Sequence, residues 1–382
     1  MVGGGILFDL WCHNSFSSVD MILTAPDLPE TMKAVLASDY GDIDVVLSLE
    51  DGVPVPSLKD LSEKEQATHM VIRNHAVALA PGDCRVLSGK TRELQGPPSM
   101  PYTPGGDCAG TVVQTTEGAR FALGDQVAVR FLEGPRGALA EYALVSTKVA
   151  DKRDSLDAVV GACLAGASPA TLLADRIEEG ERVLVLGASG GVGSHFGQLV
   201  QGKASLLVGV SSNPDRLQSL GYDRAIDYTK EDVFALKEYQ DEPFDVIVDL
   251  ASGGWPQCLD AADSGPLIVK PASSGGRYLA TTLDTAYYEI HSYWQMLMVF
   301  AFPLLWKAFV SRTLYRSKLP KFSFCLNLPD THEVVTDMLE HHREGRLRPI
   351  YQTYDFTTDG IREAFRVQES RHTPGKVVIP IP

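Results

Sequence analysis

Val183-Leu184-Val185-Leu186-Gly187-Ala188-Ser189-Gly190-Gly191-Val192-Gly193 leads an apolar strand into a glycine-rich turn and then into a helix. Such a turn lets backbone N–H groups approach a pyrophosphate, and the helix N-terminus adds partial positive charge. Ala188 to Gly193 keeps the G-x-G-x-x-G spacing with alanine in the first slot. An ordinary tight turn is the competing reading, and a lone glycine pattern would not displace it. The strand before and the helix after do. Ala188, Ser189, Gly190, Gly191, Val192 and Gly193 are therefore expected to cradle the pyrophosphate of a dinucleotide.

Cofactor choice is read about 20 residues further on, where NAD sites place an acid against the ribose 2′-hydroxyl. Here the run Leu206-Leu207-Val208-Gly209-Val210 ends in Ser211-Ser212-Asn213, with Arg216 a turn later. Hydroxyl and amide donors plus a cation suit a 2′-phosphate, so the cofactor expected is NADPH. The bland alternative is that Ser211 and Ser212 cap a helix starting near Pro214. Tyr228 is expected to end the next strand on the adenosine side.

Working outward, Val183–Leu186, Ser205–Val210 and Phe244–Asp249 are apolar runs of the kind buried in a parallel sheet. They alternate with helical stretches at Val192–Gln201 and Pro214–Leu220, which implies a doubly wound α/β fold. Upstream, Met32–Leu36, His69–Leu79, Gly110–Val113, Gly124–Val129 and Ala140–Val145 read as short strands divided by turn residues, a β-rich, barrel-like pattern. Strand-like text returns after Arg348. The expected division is an extension over 1–31, a β-rich unit from 32–156 and 348–382, and a cofactor unit over 157–347 with an apolar and basic insertion at about 284–322.

At 382 residues the chain is too long for one ordinary core, and 44% hydrophobic with 22% charged residues is a globular composition. Its formal charge, 34 minus 49 or −15, argues against a nucleic-acid partner, which needs a basic footprint. Cys12, Cys84, Cys108, Cys163, Cys258 and Cys325 form no C-x-x-C pair and read as isolated thiols in a reducing compartment. The first 31 residues lack Lys and Arg and include four acids, so neither a secretory nor a transit signal fits. A cytoplasmic location is expected, with an organellar membrane surface as the alternative.

Pro104-Gly105-Gly106-Asp107-Cys108-Ala109-Gly110, the turn from Gly187 to Gly193, Gly345-Arg346-Leu347-Arg348-Pro349 and the closing Gly375-Lys376-Val377-Val378-Ile379 together resemble the medium-chain dehydrogenase/reductases, in their quinone-oxidoreductase branch. The resemblance covers roughly residues 32–382. The segment after Gly276-Arg277-Tyr278 looks most like the reticulon-interacting mitochondrial oxidoreductases and their plant and algal relatives. The resemblance implies a GroES-like barrel beside a Rossmann domain, with the active site in the cleft between them, and a homodimer as the common assembly. It adds Leu250 and Lys376 to the expected cofactor contacts.

Zinc-dependent members carry a cysteine three residues before an Asp and a His-Glu pair after a glycine. Ala80 stands three residues before Asp83 here, and Gly106-Asp107 fills the His-Glu slot, so two ligand positions hold side chains that cannot bind zinc. No metal is expected. Without a Lewis acid, hydride must go to an acceptor that is already electrophilic, a quinone or the β-carbon of an enone or enal.

The slot often filled by an Asn near the nicotinamide holds Ala80, and Arg85 replaces a frequent Tyr. Ser168 matches a Thr that usually lies near the nicotinamide; it also suits an N-cap before Pro169. Ser168, Asp83 and Tyr102 are the catalytic candidates, with Asp83 read first as an acid that orients its loop and Tyr102 as a packing aromatic. His75 and His195 receive no role, and His341-His342 is assigned to solvent.

Between Glu289 and Asp330 there is no acid, while Trp294, Met296, Leu297, Met298, Phe300, Phe302, Leu305, Trp306 and Phe309 precede a run of cations. The apolar core, Tyr293 to Phe309, reads as too short for a bilayer span of about 20 residues. A helix or hairpin covering the cleft or a subunit interface, and an interfacial membrane contact over 293–321, both remain.

The expectation is an NADPH-dependent reductase of a small hydrophobic electrophile. An enoyl-thioester reductase is the enzyme alternative, and a nucleotide-binding tethering protein with little turnover is the non-catalytic one.

Overall fold

The computed structural model of the chain describes residues 21–97, 99–130, 137–285, 288–325 and 332–382. Runs of Val, Leu and Ile without polar alternation need cover on both faces of a sheet. Arg224–Asp227, Leu206–Ser211, Arg182–Leu186, Val246–Asp249, Arg277–Ala280 and Lys321–Phe324 lie side by side in that order as a six-stranded sheet, every pairing parallel. Leu206–Ser211 and Val246–Asp249 flank Arg182–Leu186 on opposite sides. The winding reverses there and opens a crevice beyond the C-terminal strand ends, the place where doubly wound sheets bind ligands.

The second large sheet has eight strands and is mostly antiparallel. His69–Leu79, eleven residues long, is its spine and pairs with Asp107–Thr116, Tyr142–Ser146 and Lys376–Pro380. Register shifts between Val71 and Ile72 and between Asn74 and Ala76 bend it, as bulges do at barrel corners. Thr31–Ala37 and Leu47–Pro54 add a two-stranded sheet. The helix Ala158–Ala167 is built of small residues because it packs between the sheets: Ala162 and Cys163 meet the barrel side, while Leu164, Ala165 and Ala167 meet the parallel sheet.

Several expectations need correction. Pro214–Leu220 is two single 3₁₀ turns, Pro214–Arg216 and Gln218–Leu220, because Gly221 at φ +89° ends the second after one turn. The text after Arg348 is not continuous strand. A 13-residue helix, Thr358–Ser370, separates Tyr351–Thr353 from Lys376–Pro380. Its buried Ile361, Ala364 and Phe365 carry the three-and-four spacing of a helix face. The expected extension over 1–31 contains a strand, Ile22–Thr24, that pairs antiparallel with Asp107–Thr116; residues 1–20 lie outside the described residues. Among the described cysteines, Cys84, Cys108, Cys163, Cys258 and Cys325 are all free thiols.

The insertion is a single helical run, Tyr293–Arg312, of which Met296–Ala301 is π-helical. At 20 residues it is long and apolar enough to cross a membrane, contrary to the shorter estimate from its apolar core. Nor does it cover the cleft: Leu304, Ala308 and Val310 pack on the core of the parallel sheet, and most of its large apolar side chains face solvent.

Candidate active site in the interdomain cleft

The glycine turn sits at the reversal point of the parallel sheet. Gly187 takes φ +81°, and a Cβ there would lie 3.3 Å from both Ala251 Cβ and the Leu250 carbonyl carbon. Leu250 therefore lines the crevice opposite the turn, its own N–H bonded to the Leu186 carbonyl at 3.0 Å. Gly193 opens the helix Gly193–Val200 packed against the turn, with only 2.5 Å between a notional Cβ and the Gly187 oxygen. Gly190 is different. A Cβ there meets only the Gly187 oxygen at 3.4 Å, so the side-chain direction is open. The Gly191 N–H faces the Gly375 carbonyl in the parallel bridge between Gly190 and Gly375, and among the described residues the Val192 N–H donates to no protein acceptor. A free amide beside an open glycine at a helix N-terminus fits a pyrophosphate.

Two long-range contacts hold this turn. Gly375 N–H donates to the Ser189 carbonyl at 2.9 Å, joining the barrel's last strand to the glycine loop. His195, wholly buried one turn into the helix, has Nδ1 at 2.7 Å from the Gly191 carbonyl and accepts the Ile350 N–H at Nε2 (3.3 Å). That pairing requires the neutral ring protonated at Nδ1. Burial pulls the His195 pKa from 6.5 to about 4, only partly opposed by the Gly191 bond.

The folded pKa lies below the unfolded one, so this contribution is complete above pH 6.5 and is lost as pH falls toward 4. One proton over that interval corresponds to about 3 kcal/mol. Urea midpoints of wild type and His195→Gln should converge as pH falls through this window; a constant difference would refute the assignment.

Sequence reasoning missed Asp249, the floor of the crevice. It ends Val246–Asp249, is 3% exposed, and accepts the Tyr278 hydroxyl at 2.6 Å together with the N–H groups of Ala251 (3.0 Å), Ser252 (2.9 Å) and Gly254 (3.4 Å). Ser252 at φ +83° and Gly253 at φ +90° form the turn that these bonds hold. Burial raises the Asp249 pKa despite the four donors. Asp249→Ala would strand three amides and a phenol, and a loss of about 3 kcal/mol is expected in urea unfolding. A loss below about 1 kcal/mol would mean that the turn holds itself.

At the tip of Leu206–Ser211, the Ser211 hydroxyl lies 2.6 Å from the Ser189 hydroxyl and accepts the Asn213 N–H at 2.9 Å. It ties the strand tip to the glycine loop. Neither serine caps a helix; Asn213 takes the cap position without a side-chain cap bond. Ser212 and Asn213 are half-buried and Arg216 is exposed, all on the crevice rim. Ser211 pairs in register with Asp227, the last residue of its strand, so Tyr228, expected to end that strand, lies in the turn just past it and is 52% exposed.

Across the cleft, Ser168 is completely buried with no partner for its hydroxyl, and it makes no cap bond to the helix Pro169–Ala174. Lys376, also buried, donates from Nζ to the Leu79 carbonyl at 2.8 Å and stands 3.8 Å from Asp107. Its Cδ lies 2.8 Å from a notional Gly191 Cβ, and its Nζ 2.6 Å from a notional Gly166 Cβ. Lys376 thus spans the junction of the two sheets.

Asp83 accepts the Ala80 N–H at 2.7 Å and thereby starts the helix Pro81–Leu87. Tyr102 packs in the barrel core with an unpartnered hydroxyl, its pKa raised by burial and then by the Asp83 carboxylate. No group of three or more His, Cys, Asp or Glu side chains able to hold a metal gathers among the described residues. His75 bonds Thr111 at 3.0 Å, away from these groups. The pair His341-His342 is half-buried rather than solvent-facing, because His342 Nδ1 closes its helix end on the Leu347 carbonyl at 2.8 Å.

A barrel-like sheet joined to a doubly wound parallel sheet, with a glycine turn at their junction, defines a two-domain dinucleotide-dependent oxidoreductase. Residues 66–154 match the family profile "Alcohol dehydrogenase GroES-like domain", and residues 220–379 match "Zinc-binding dehydrogenase". The chain is 33% identical over 378 residues to the 2-methylene-furan-3-one reductase of Solanum lycopersicum, covering 94% of this chain and 82% of that protein. It is 29% identical over 385 residues to the chloroplastic NADPH-dependent alkenal/one oxidoreductase of Arabidopsis thaliana, covering 96% and 84%. The quinone oxidoreductase structure from Coxiella burnetii shares the fold, with TM-score 0.69 and 21% identity over 92% of this chain and all of that one. This chain belongs to the medium-chain dehydrogenase/reductase superfamily.

Proposed function

We propose that the protein is a zinc-independent, NADPH-dependent reductase of electron-poor acceptors, namely activated alkenes such as enones and enals, and quinones. The observation that carries the reading is the glycine turn, with Gly190 open and the Val192 amide free at the helix N-terminus; by the family resemblance Ala80 stands where zinc-dependent members have a metal-binding side chain. The relatives named above act, by their names, on alkenals, enones and a methylene-furanone, all electron-poor alkenes.

Gly190, Gly191 and Val192 would hold the pyrophosphate, and Ser212, Asn213 and Arg216 the 2′-phosphate. Bound NADPH supplies the hydride. The Ser168 hydroxyl, buried and unpaired, is the polar atom available to hold the nicotinamide end. With a raised pKa, Tyr102 keeps its proton at neutral pH and serves as a hydrogen-bond donor rather than an acid. The last proton of the reaction then comes from water. The chloroplastic location in one relative's name favours an organelle over the cytoplasm.

The test is NADPH consumption against quinones, enals and enoyl thioesters, with and without EDTA. EDTA-insensitive oxidation with enals or quinones is expected. Turnover confined to crotonyl-type thioesters would transfer the reading to enoyl-thioester reduction. Binding of NADPH without oxidation by any acceptor would leave a nucleotide-binding protein of another purpose.

A further inference from the structure

An amphipathic helix earns its place in a fold by burying its apolar stripe; here the stripe points outward. Trp294, Met298, Phe302, Leu305 and Phe309 recur at intervals of four and three residues along Tyr293–Arg312, so they share one face. Their exposures are 69%, 47%, 53%, 68% and 51%, and Trp306 beside them is 52% exposed. Phe302 and Trp306 stack at 6.3 Å, leaving a continuous aromatic surface. Contiguous apolar patches of this kind mark protein or membrane contacts.

The opposite side of the helix is fixed to the protein. Leu304, Ala308 and Val310 pack on the core beneath the parallel sheet, and the Ser311 hydroxyl accepts the Phe322 N–H at 3.0 Å. Lys307 pairs with Asp284 at 2.5 Å. Both ends return to the globular body, through Ile290 N–H on the Lys90 carbonyl (2.7 Å) and through fully buried Leu319. A helix held along one side cannot cross a bilayer, but it can lie on one.

Charge selects the occupant. The exposed Arg312, Arg316, Lys318 and Lys321 follow the apolar face, and no acid occurs between Glu289 and Asp330 in a chain of net charge −15. We propose that this face docks on an anionic lipid bilayer, with its aromatic rings at headgroup level and the four cations against lipid phosphates. The acidic remainder of the protein would be repelled by the same surface, which sets the orientation.

The helix stem also bears on the cleft. Asp284 lies next to the Gly253 turn at the crevice floor, and Arg85 stacks over the Tyr288 ring at 5.0 Å on the helix that starts at Pro81. Asp284 and Tyr288 thus place this segment beside both sides of the cleft, which suits supply of a lipophilic acceptor from the bilayer, a use that rests on the reductase reading.

Flotation of the full chain with phosphatidylcholine vesicles, with and without phosphatidylserine, tests the docking. Co-flotation with the anionic vesicles and weakening by salt are expected, with roughly fivefold weaker partitioning for each cation removed in Arg316→Gln and Lys318→Gln. Trp306→Ser with Leu305→Ser should abolish binding while NADPH oxidation with a water-soluble enone, measured without vesicles, stays at the wild-type rate. Absence of co-flotation with either vesicle overturns the proposal, as does a wild-type oligomer that binds no vesicle and dissociates in the Trp306→Ser, Leu305→Ser variant, since a second copy would then cover the face. Loss of enone reduction with vesicle binding intact would instead overturn the reductase reading alone.

Discussion

Gly190→Asp is expected to weaken NADPH binding at least about a hundredfold while leaving thermal stability near that of the wild type. The two effects separate because of local geometry. A Cβ at Gly190 meets only one protein atom, at 3.4 Å, whereas at Gly193 it would press on the Gly187 and Ala188 carbonyl oxygens at 2.5 and 2.7 Å. Substitution at Gly193 would therefore damage the turn itself. At Gly190 the new carboxylate enters open space at the helix N-terminus, where it faces the free Val192 amide and repels a diphosphate. Like charges in a partly desolvated site cost about 3 kcal/mol or more, hence the hundredfold. Fluorescence titration with NADPH beside a melting curve checks both halves. Affinity within about threefold of wild type would place the pyrophosphate elsewhere.

The second large effect concerns selectivity. Ser212→Asp combined with Arg216→Ala should shift the ratio of specificity constants for NADPH over NADH by about a thousandfold toward NADH. Losing a cation from a phosphate costs roughly 2 kcal/mol, and a carboxylate facing a 2′-phosphate adds a similar penalty while accepting the ribose hydroxyls of NADH. The Ser211 hydroxyl is left in place because it ties Ser189 and Asn213 together, and changing it would confound the loop with the cofactor. An unchanged ratio would mean that the strand tip does not face the adenosine ribose.

What could be read from the residues was what local physics writes into them. Arg182–Leu186 and the turn after it are contiguous, and a buried parallel strand leaves an uninterrupted apolar run. The open donors at Ser212 and Asn213 followed from their position at a strand end. Asp249 escaped notice because its importance lies in four donors gathered from the turn after it and from Tyr278, 29 residues away. The bond from Gly375 to Ser189 and the His195 bridge to Ile350 likewise join segments more than 150 residues apart, which no periodicity encodes. The helix Thr358–Ser370 was different, for its Ile361, Ala364 and Phe365 spacing was present in the sequence and was overshadowed by the strands around it. At the insertion, composition marked an unusual segment, but only the packing of Leu304, Ala308 and Val310 shows which side faces out.

In the proposed reaction hydride passes directly to an electron-poor carbon without a metal. Single-turnover reduction of an enal by NADPH deuterated at the transferable C4 position, with EDTA-treated protein, measures that step by mass spectrometry of the product. One deuterium at the β-carbon and a rate unchanged by EDTA are expected. Label remaining in the nicotinamide, or a reaction that stops with EDTA and returns with zinc, would contradict direct, metal-free transfer.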